Sequence, residues 1–467
     1  GARSPRLWNP PLRLRGAHIF FLDWLMTVSM GAAEVSDGSD SCEYARIEGQ
    51  EGECVAACRS TEISAGSRQA SLGAITANLI TAGLGTGILS LPWGTAGASL
   101  LPSVAMIALV MALNAATVMI LILAAERWQA FDLGGLLAHL PGRYSFLAQA
   151  FCNTLTWASV FLCLVGYMVV IADSLEPLVS LGLGSEPGAA EAHVRPLLMA
   201  AGACAVLPLC FLDQARLSFS SGLGIAVNVY MFLLVFALFT RRGVASRCCV
   251  VGAGPGVVAL FSTLMQCAIV QMCVQPMYEE LKDRSPWRFN KAVIVSFGFL
   301  ALLFAGFAVA AYLAFGPSVQ SNVMLDFPED ARGNFARAGM VVTTLAVYPI
   351  VLKSMVAPVQ HWEASRCSGQ PWRWRWVVAL IVAASAFGGA FAGQLGTLQT
   401  MNGAMQVSAF IAVAPALTGL FLLGMGGLRW QAAMWSLLVV GLAASALGLV
   451  YNTNEPEALT RHCVWQT

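Results

Sequence analysis

Three glycines, Gly83, Gly85 and Gly87, followed by Pro92, are the residues of this chain with the clearest chemical potential. Each interior glycine costs a helix roughly 1 kcal/mol relative to alanine, and proline removes a backbone donor. The spacing therefore predicts a helix that is broken within an apolar run. In a bilayer, a break survives only where protein or a water-filled cavity satisfies the backbone. Free N–H groups near the membrane centre suit a small anionic group such as a carboxylate.

A second interruption is predicted between Ser262 and Pro276, where Gln266, Gln271 and Gln275 occur in one apolar segment. An unpaired amide at membrane depth is costly, so these side chains need partners. They can simply hydrogen-bond neighbouring helices. Paired interruptions at corresponding positions of two halves, however, are typical of a transporter binding site.

The first break also has a simpler explanation. Gly83 and Gly87 form a GxxxG pattern, which lets two helices approach closely. That explanation leaves Gly85 between them and Pro92 after them unaccounted for. Both interpretations stay open from the sequence alone.

Composition places these breaks in a membrane. Of 467 residues, 57% are hydrophobic and 11% are charged, and the mean hydropathy is +0.70. A soluble domain carries about 25% charged residues, so the chain is predicted to be an integral membrane protein in contact with lipid. The near-zero net charge indicates no nucleic-acid partner. The apolar runs hold no paired carboxylates, His cluster or nucleophile with a base, so we expect no enzyme.

Eleven apolar runs have the length of a membrane span, which needs about 20 residues. The chain is therefore predicted to be all-α, with eleven transmembrane helices whose first and sixth are broken. The predicted spans lie near 72–98, 103–125, 147–172, 195–212, 218–240, 256–278, 291–315, 336–359, 374–393, 398–424 and 430–451.

The ends of the chain are predicted to lie outside this transmembrane domain, which covers 71–452. Residues 1–70 have the composition of a disordered tail, with a leader-like apolar stretch at 17–33. Residues 453–467 form a short C-terminal tail. Lys and Arg are more numerous in the loops on one side, which predicts a cytoplasmic N-terminus. Cys248 and Cys249 can pair across a lumen, although the sequence indicates no partner for them.

Two segments carry a family resemblance. NLITAGLGTGILSLPW, from Asn78 to Trp93, resembles the first-helix signature of the amino acid/auxin permease family. PMYEELKDRS, from Pro276 to Ser285, is similar to the end of that family's sixth helix, especially in the sodium-coupled neutral amino acid transporter branch. The stretch 213–230 and Asn402 with Gly403 resemble further family segments.

The resemblance implies a 5+5 inverted repeat and a neutral amino acid held between the first and sixth helices. The carboxylate would meet N–H groups of the first break, and the ammonium would meet carbonyls of the second. The implied substrate-binding residues are Thr81, Gly83, Leu84, Gly85, Thr86, Gly87, Ala268 and Gln271. The family's aromatic-Cys-His-Pro run is replaced here by Val270-Gln271-Met272, which leaves side-chain selectivity open.

The resemblance also implies a cation site made by an Asn of the first helix and a Thr of the eighth. Asn78 matches the first, and Thr343 and Thr344 both lie near the second. Oxygen ligands suit Na⁺, and no carboxylate lies mid-span, so Na⁺ is favoured over H⁺ as the coupling ion. Lys353 can replace the cation or extend to the interface, and we favour the interface. We expect no other cofactor.

The sequence thus predicts a cation-coupled secondary transporter of amino acids that works by alternating access. The membrane is predicted to be the plasma membrane or a vacuolar or lysosomal one. A membrane sensor that binds an amino acid and signals through its acidic tail is the alternative.

Overall fold

The computed structural model describes residues 70–183, 191–211, 219–252, 254–366, 373–424, 427–452 and 463–466. The predicted tail up to residue 69, with its leader-like stretch at 17–33, lies outside these residues. Of the predicted C-terminal tail, only 463–466 are described.

The first half of the chain forms helices that are interrupted once near the start. In order they are α1 Leu72–Gly83, a 3₁₀ helix Thr86–Ser90, α2 Leu91–Ala98, α3 Leu100–Trp128, α4 Leu133–Ala138, α5 Arg143–Leu183, α6 Glu191–Leu209 and α7 Phe219–Arg242.

The second half repeats this pattern, with its own early break. In order it comprises β1 Cys249–Gly252, α8 Gly256–Ala268, α9 Val274–Glu279, α10 Pro286–Phe315, a 3₁₀ helix Val323–Leu325, α11 Ala331–Arg366, α12 Arg373–Phe391, α13 Leu395–Gln406, a π-helix Val407–Val413, α14 Ala414–Leu417, a π-helix Thr418–Leu423, α15 Leu428–Val450 and β2 Cys463–Gln466.

Eight helices in the described part of the chain are long and apolar enough to cross a membrane. A ninth span results when α1 and the segment Thr86–Ala98, which are bent by 45°, are counted together. Two shorter apolar helices lie at the fourth and sixth predicted positions: the Val194–Leu209 part of α6, and α8, Gly256–Ala268. The predicted breaks in the first and sixth spans are therefore present.

Local sequence explains where several helices begin and bend. The Ser285 hydroxyl caps α10 by accepting a hydrogen bond from the N–H of Arg288 at 3.3 Å, and Pro286 occupies the first turn. Asp132 caps α4 through the N–H of Gly135 at 2.6 Å. Pro415 lies between the two π-helices, where its missing N–H disturbs the regular hydrogen-bond ladder.

A buried layer joins α5, α6, α11 and α12. It contains Leu164, Met168, Tyr348 and Val382, all less than 4% exposed. The Tyr348 hydroxyl is 2.7 Å from the hydroxyl of Ser385, so the polar end of this ring has a partner inside the apolar layer.

One small sheet departs from the all-α prediction. Strands β1 and β2 pair antiparallel, and a disulfide joins Cys249 to Cys463. The hydroxyl of Ser99, just beyond α2, accepts from the N–H of Gly252 and donates to its carbonyl, both at 3.1 Å. The sheet therefore lies at the end of the first span opposite Ala70. We call the end of the helices beside this sheet the sheet end, and the opposite end, where Ala70 lies, the tail end.

Candidate functional site at the two helix breaks

The first break leaves three backbone donors in a row. The N–H of Leu84 still bonds to the carbonyls of Ile80 and Thr81, both at 3.1 Å, and so completes α1. The next three N–H groups, those of Gly85, Thr86 and Gly87, have no acceptor among the described residues. They point from the start of a new helix, where the backbone dipoles sum to a partial positive charge. This arrangement suits an anion.

The sixth-span break leaves the complementary groups. Helix α8 ends at Ala268, and Ile269 is extended, with φ −73° and ψ 115°. Among the described residues, no N–H group donates to the carbonyls of residues 266–269. The end of a helix carries a partial negative charge. These carbonyls therefore suit a cation such as an ammonium.

The two breaks are in contact. A Cβ on Gly87 would overlap the sulfur of Cys267 and lie 3.4 Å from its Cα. Four residues before the end of α2, a Cβ on Gly94 would lie 2.9 Å from a methyl of Leu260. Only glycine lets the first span approach α8 this closely. The positive start of one half-helix and the negative end of another consequently lie side by side.

The three glycines of the first break differ in their surroundings. A Cβ on Gly83 would lie 2.6 Å from Cδ1 of Leu300 in α10, and Gly87 meets Cys267. Close helix approach accounts for these two. By contrast, a Cβ on Gly85 would meet nothing within 4 Å, and Gly85 is exposed. Open space therefore borders the backbone at the position that close packing does not explain.

Exposed residues continue from this open space along one face of α1. Ala74, Asn78 and Gly85 are exposed and recur at helical spacing, with Thr81 half-buried between them. The Thr81 hydroxyl donates to the carbonyl of Ala77 at 2.8 Å, so it is already engaged within the helix. The segment after the break is closed, because every residue from Gly87 to Ala98 is buried. The exposed residues next to the first break thus lie on its tail-end side.

Three contacts seal the sheet end of the first span. The Ser90 hydroxyl donates to the carbonyl of Ser321 at 2.6 Å, and the Gln399 amide donates to the carbonyl of Thr86 at 3.1 Å. Trp93 covers Gly396, where a Cβ would lie 2.6 Å from the indole ring.

Beyond this seal lies a cavity of about 430 Å³, lined in part by Trp93, Asp173 and Arg195. Asp173 is buried and pairs with Arg195 at 3.1 Å. Its other oxygen accepts from the Asn322 amide at 3.0 Å. The carboxylate therefore joins α5, α6 and the loop after α10.

The tail end of the sixth span is held by residues of PMYEELKDRS. The Tyr278 hydroxyl donates to Glu126 at 2.9 Å, and the Arg284 guanidinium lies 3.1 Å from the same carboxylate oxygen. Arg284 also stacks over the ring of Phe131 at 4.2 Å. These contacts fasten α9 and the turn after it to the end of α3, which gives the motif a structural purpose.

The predicted cation residues are not joined by any hydrogen bond in the described part of the chain. Thr343 donates to the carbonyl of Gly339 at 2.8 Å, and its methyl faces Gly224. Thr344 is 1% exposed, and its hydroxyl has no partner among the described residues. The side chain of Asn78 is exposed, and Lys353 is half-buried. Both hydroxyl oxygens keep lone pairs that a hard cation can use, and Thr344 is the threonine whose hydroxyl has no partner among the described residues.

Two of the three predicted glutamines, Gln271 and Gln275, differ sharply in their hydrogen bonding. Gln271 is fully buried and bonded to Asn114 and Thr117 of α3. Gln275 is also fully buried, yet neither its oxygen nor its nitrogen has a partner among the described residues. Sequence reasoning missed Asn114 and Thr117, because they precede Gln271 by 157 and 154 residues and carry no local signal. For Gln271, bonding to a neighbouring helix is the observed role of the side chain.

The profile of the transmembrane amino acid transporter protein family matches residues 68–453. The chain belongs to this family. Its relatives include amino acid transporter AVT6E of Arabidopsis thaliana, 22% identical over 59% of this chain and 60% of the relative. Another is AVT1C of the same plant, 25% identical over 44% of this chain and 35% of the relative. The chain thus spans less than two thirds of the length of these relatives.

Two solved structures share the fold. MhsT in complex with L-phenylalanine aligns with a TM-score of 0.51 and 12% identity, over 81% of this chain and 98% of that one. The inward-facing conformation of Mhp1 aligns with a TM-score of 0.55 and 14% identity, over 85% and 95%. Together with the broken first and sixth spans, these likenesses confirm the predicted helical membrane fold, and the family match confirms the predicted family.

Proposed function

We propose that this chain is a secondary active transporter of amino acids and that the two helix breaks form its substrate site. The observation that carries this proposal is the contact between Gly87 and Cys267. It brings the N–H groups of residues 85–87 beside the carbonyls of residues 266–269, and neither set has a hydrogen-bond partner among the described residues. A zwitterion needs donors at one end and acceptors at the other. The relatives, which are named amino acid transporters, support this substrate class.

Neutral amino acids are the favoured substrates. Neither the segment 84–90 nor the segment 265–273 contains a charged residue. A charged substrate side chain at this depth would need an opposite charge, because burying it without a partner is costly. The backbone can neutralise only the two charges of the zwitterion itself.

Alternating access then requires the site to open at the sheet end and to close at the tail end. In the observed arrangement, the Ser90–Ser321 and Gln399–Thr86 hydrogen bonds close the sheet end, while Gly85 and one face of α1 are exposed on the tail-end side. Transport would break these contacts and cover the exposed face of α1. The two halves of the first span can move separately, because no helical hydrogen bonds cross the break at Gly85.

The disulfide supports one orientation of the chain in the membrane. Disulfides persist in oxidising compartments, so the Cys249–Cys463 bond favours a sheet end that faces the exterior or a lumen. The tail end, with Ala70, would then face the cytoplasm. Either the plasma membrane or a vacuolar or lysosomal membrane meets this condition.

We further propose Na⁺ rather than H⁺ as the coupling ion, with Asn78 and Thr344 as oxygen ligands. The buried hydroxyl of Thr344 has no partner among the described residues, and a bound cation would satisfy it. Proton coupling would instead need a buried ionisable group near the breaks. The segments 84–90 and 265–273 contain no Asp, Glu, His, Lys or Arg.

One observation favours the alternative, a membrane sensor. The N–H of Ala70 donates to the carbonyl of Glu280 at 3.1 Å, and the N–H of Lys282 donates to the carbonyl of Ala70 at 3.0 Å. The chain that precedes α1 is thereby tied to the end of the sixth span, where movement could be passed to the tail. Deletion of residues 1–68 separates the two functions, because a transporter keeps uptake whereas a sensor loses its output.

The experiment that tests the proposal is uptake by proteoliposomes of a panel of labelled amino acids, with Na⁺ and H⁺ gradients imposed separately. We expect neutral amino acids to accumulate under an inward Na⁺ gradient and not under an H⁺ gradient alone. Accumulation of no amino acid under either gradient would contradict the proposal. Accumulation under the H⁺ gradient alone would overturn only the choice of ion.

A further inference from the structure

The side chain of Gln271 has every hydrogen-bonding group engaged. Its oxygen accepts from the N–H of Val270 at 2.9 Å. Its nitrogen donates to Oδ1 of Asn114 at 3.0 Å and to the hydroxyl of Thr117 at 2.9 Å. The residue is fully buried, so the substrate cannot use this amide without breaking these bonds.

The two partners are equally committed. The Asn114 amide nitrogen donates to the carbonyl of Val110 at 2.9 Å and approaches the sulfur of Met265 at 3.3 Å. The Thr117 hydroxyl lies 3.0 Å from the carbonyls of Leu113 and Asn114, to which it can donate. All three network members are neutral over the physiological pH range. The network is thus complete within α3 and the break.

The bond to the N–H of Val270 constrains the carbonyl of Ile269. These two groups belong to one planar peptide unit, and the described chain contains no cis peptide. In a trans peptide, the C=O points opposite to the N–H. Because Gln271 draws the N–H towards its own side chain, the oxygen of Ile269 must point the other way. That oxygen accepts no hydrogen bond from the described residues.

We propose that Gln271 is a positioning residue that aims the carbonyl of Ile269 at the ammonium group of the substrate. Asn114 and Thr117 hold the amide in the required orientation. The inference rests on the proposed function, and it narrows that function by assigning the ammonium acceptor. Gln271 itself does not touch the substrate. It replaces the helical hydrogen bond that would otherwise orient the Ile269–Val270 peptide.

Recognition of the amine is the property that separates this role from a merely structural one. Without the bond to Gln271, the peptide unit can rotate, and the ammonium loses a well-aimed acceptor. The carboxylate end, held by the N–H groups of residues 85–87, is unaffected. Affinity should fall for the amino acid and not for the matching acid that lacks the amine.

The test compares binding of L-alanine and propionate to the purified full chain and to Gln271→Met. The ratio of the two affinities is the readout. We expect the preference for L-alanine to fall about tenfold or more in Gln271→Met, as loss of one hydrogen bond to a charged group implies. Gln275→Met is the matched control, because Gln275 is equally buried and has no partner among the described residues. Its ratio should equal that of the wild type.

A second variant keeps the test valid if Gln271→Met fails to fold. In Gln271→Glu, a protonated carboxyl can accept from Val270 and donate to α3, whereas an ionised one has no donor. We expect its affinity for L-alanine to improve several-fold as the pH falls, against a much flatter wild-type profile. A wild-type ratio in Gln271→Met, or a wild-type pH profile in Gln271→Glu, would overturn the positioning role. The proposed function would instead be refuted if the wild type bound no L-alanine and also took up no other neutral amino acid.

Discussion

Gly87 lies directly against Cys267, so the interruption of the first span and that of the sixth meet at one point. The start of one half-helix and the end of another are thereby placed side by side, with opposite partial charges. Neither helix end supplies a formal charge, and both are built from backbone. We therefore expect side-chain size at the break, rather than side-chain charge, to control substrate binding.

Substitutions of two glycines of the first break, Gly83 and Gly85, should differ in their effect on stability. Gly85→Ala is expected to leave the thermal unfolding midpoint unchanged, because its φ of −96° is open to any residue and its Cβ would meet nothing within 4 Å. Gly83→Ala should lower stability by about 1–3 kcal/mol, since its Cβ would lie 2.6 Å from Leu300. Differential scanning fluorimetry of the purified variants measures both. Equal destabilisation by the two changes would contradict the assigned surroundings.

The two threonines of α11 should differ in their effect on cation dependence. Thr344→Val removes a buried hydroxyl that has no partner among the described residues, so we expect the Na⁺ concentration for half-maximal uptake to rise about tenfold. Thr343→Val is the matched control, because the Thr343 hydroxyl already has a partner, the carbonyl of Gly339, to which it donates. Sodium titrations of uptake in proteoliposomes make the comparison. A larger shift for Thr343→Val would exchange the roles of the two residues.

Asp326 should make stability pH-dependent at the sheet end. Burial raises the pKa of this carboxyl from 3.8 to about 6, against the lowering effects of the N–H of Gln320 and of Arg242. The folded chain then holds the proton more tightly than the unfolded chain, so stability is lost as the pH rises from about 4 to about 6. One pKa unit corresponds to about 1.4 kcal/mol, so the free energy of unfolding falls by up to about 3 kcal/mol across this range.

Unfolding midpoints measured across this pH window check that sign. Asp326→Asn should flatten the decline. Asp330→Asn should leave it in place, because hydrogen bonds from Gly333 and Arg332 lower the pKa of Asp330 instead. A wild-type midpoint that rises with pH, and a decline unchanged by Asp326→Asn, would each count against the assignment.

Much of this architecture was predictable because its causes are local. Glycines at positions 83, 85 and 87, and the polar run before Pro276, weaken their own helices wherever they lie. The breaks, the membrane class and the family follow from such local patterns. The distinct role of Gly85 was not predictable, since Leu300 and Cys267 are brought beside its neighbours only by folding.

The partners that complete the site are long-range, and the sequence carries no mark of them. Gln271 meets Asn114 and Thr117 across more than 150 residues, and outside the site Cys249 meets Cys463 across 214. No periodicity links such positions. The cation site remains a prediction, because no hydrogen bond in the described part of the chain joins Asn78 to Thr343 or Thr344.

The disulfide should report the orientation of the chain. We expect Cys249 and Cys463 to resist a membrane-impermeant maleimide until a reductant is added, and then to react from the exterior or lumenal side. A Cys249→Ser, Cys463→Ser double variant should lose this reductant-dependent labelling. Labelling from the cytoplasmic side would reverse the proposed orientation without affecting the substrate site.

Equilibrium binding of a panel of labelled neutral amino acids to the purified wild type and to Gly85→Val tests the central claim most directly. A Cβ at this position would meet nothing within 4 Å, and the branched side chain would occupy the open space beside the N–H groups of residues 85–87. We predict that the wild type binds at least one member of the panel, and that Gly85→Val binds none while it unfolds at the wild-type temperature. Binding of the same amino acid by both proteins with equal affinity would contradict it.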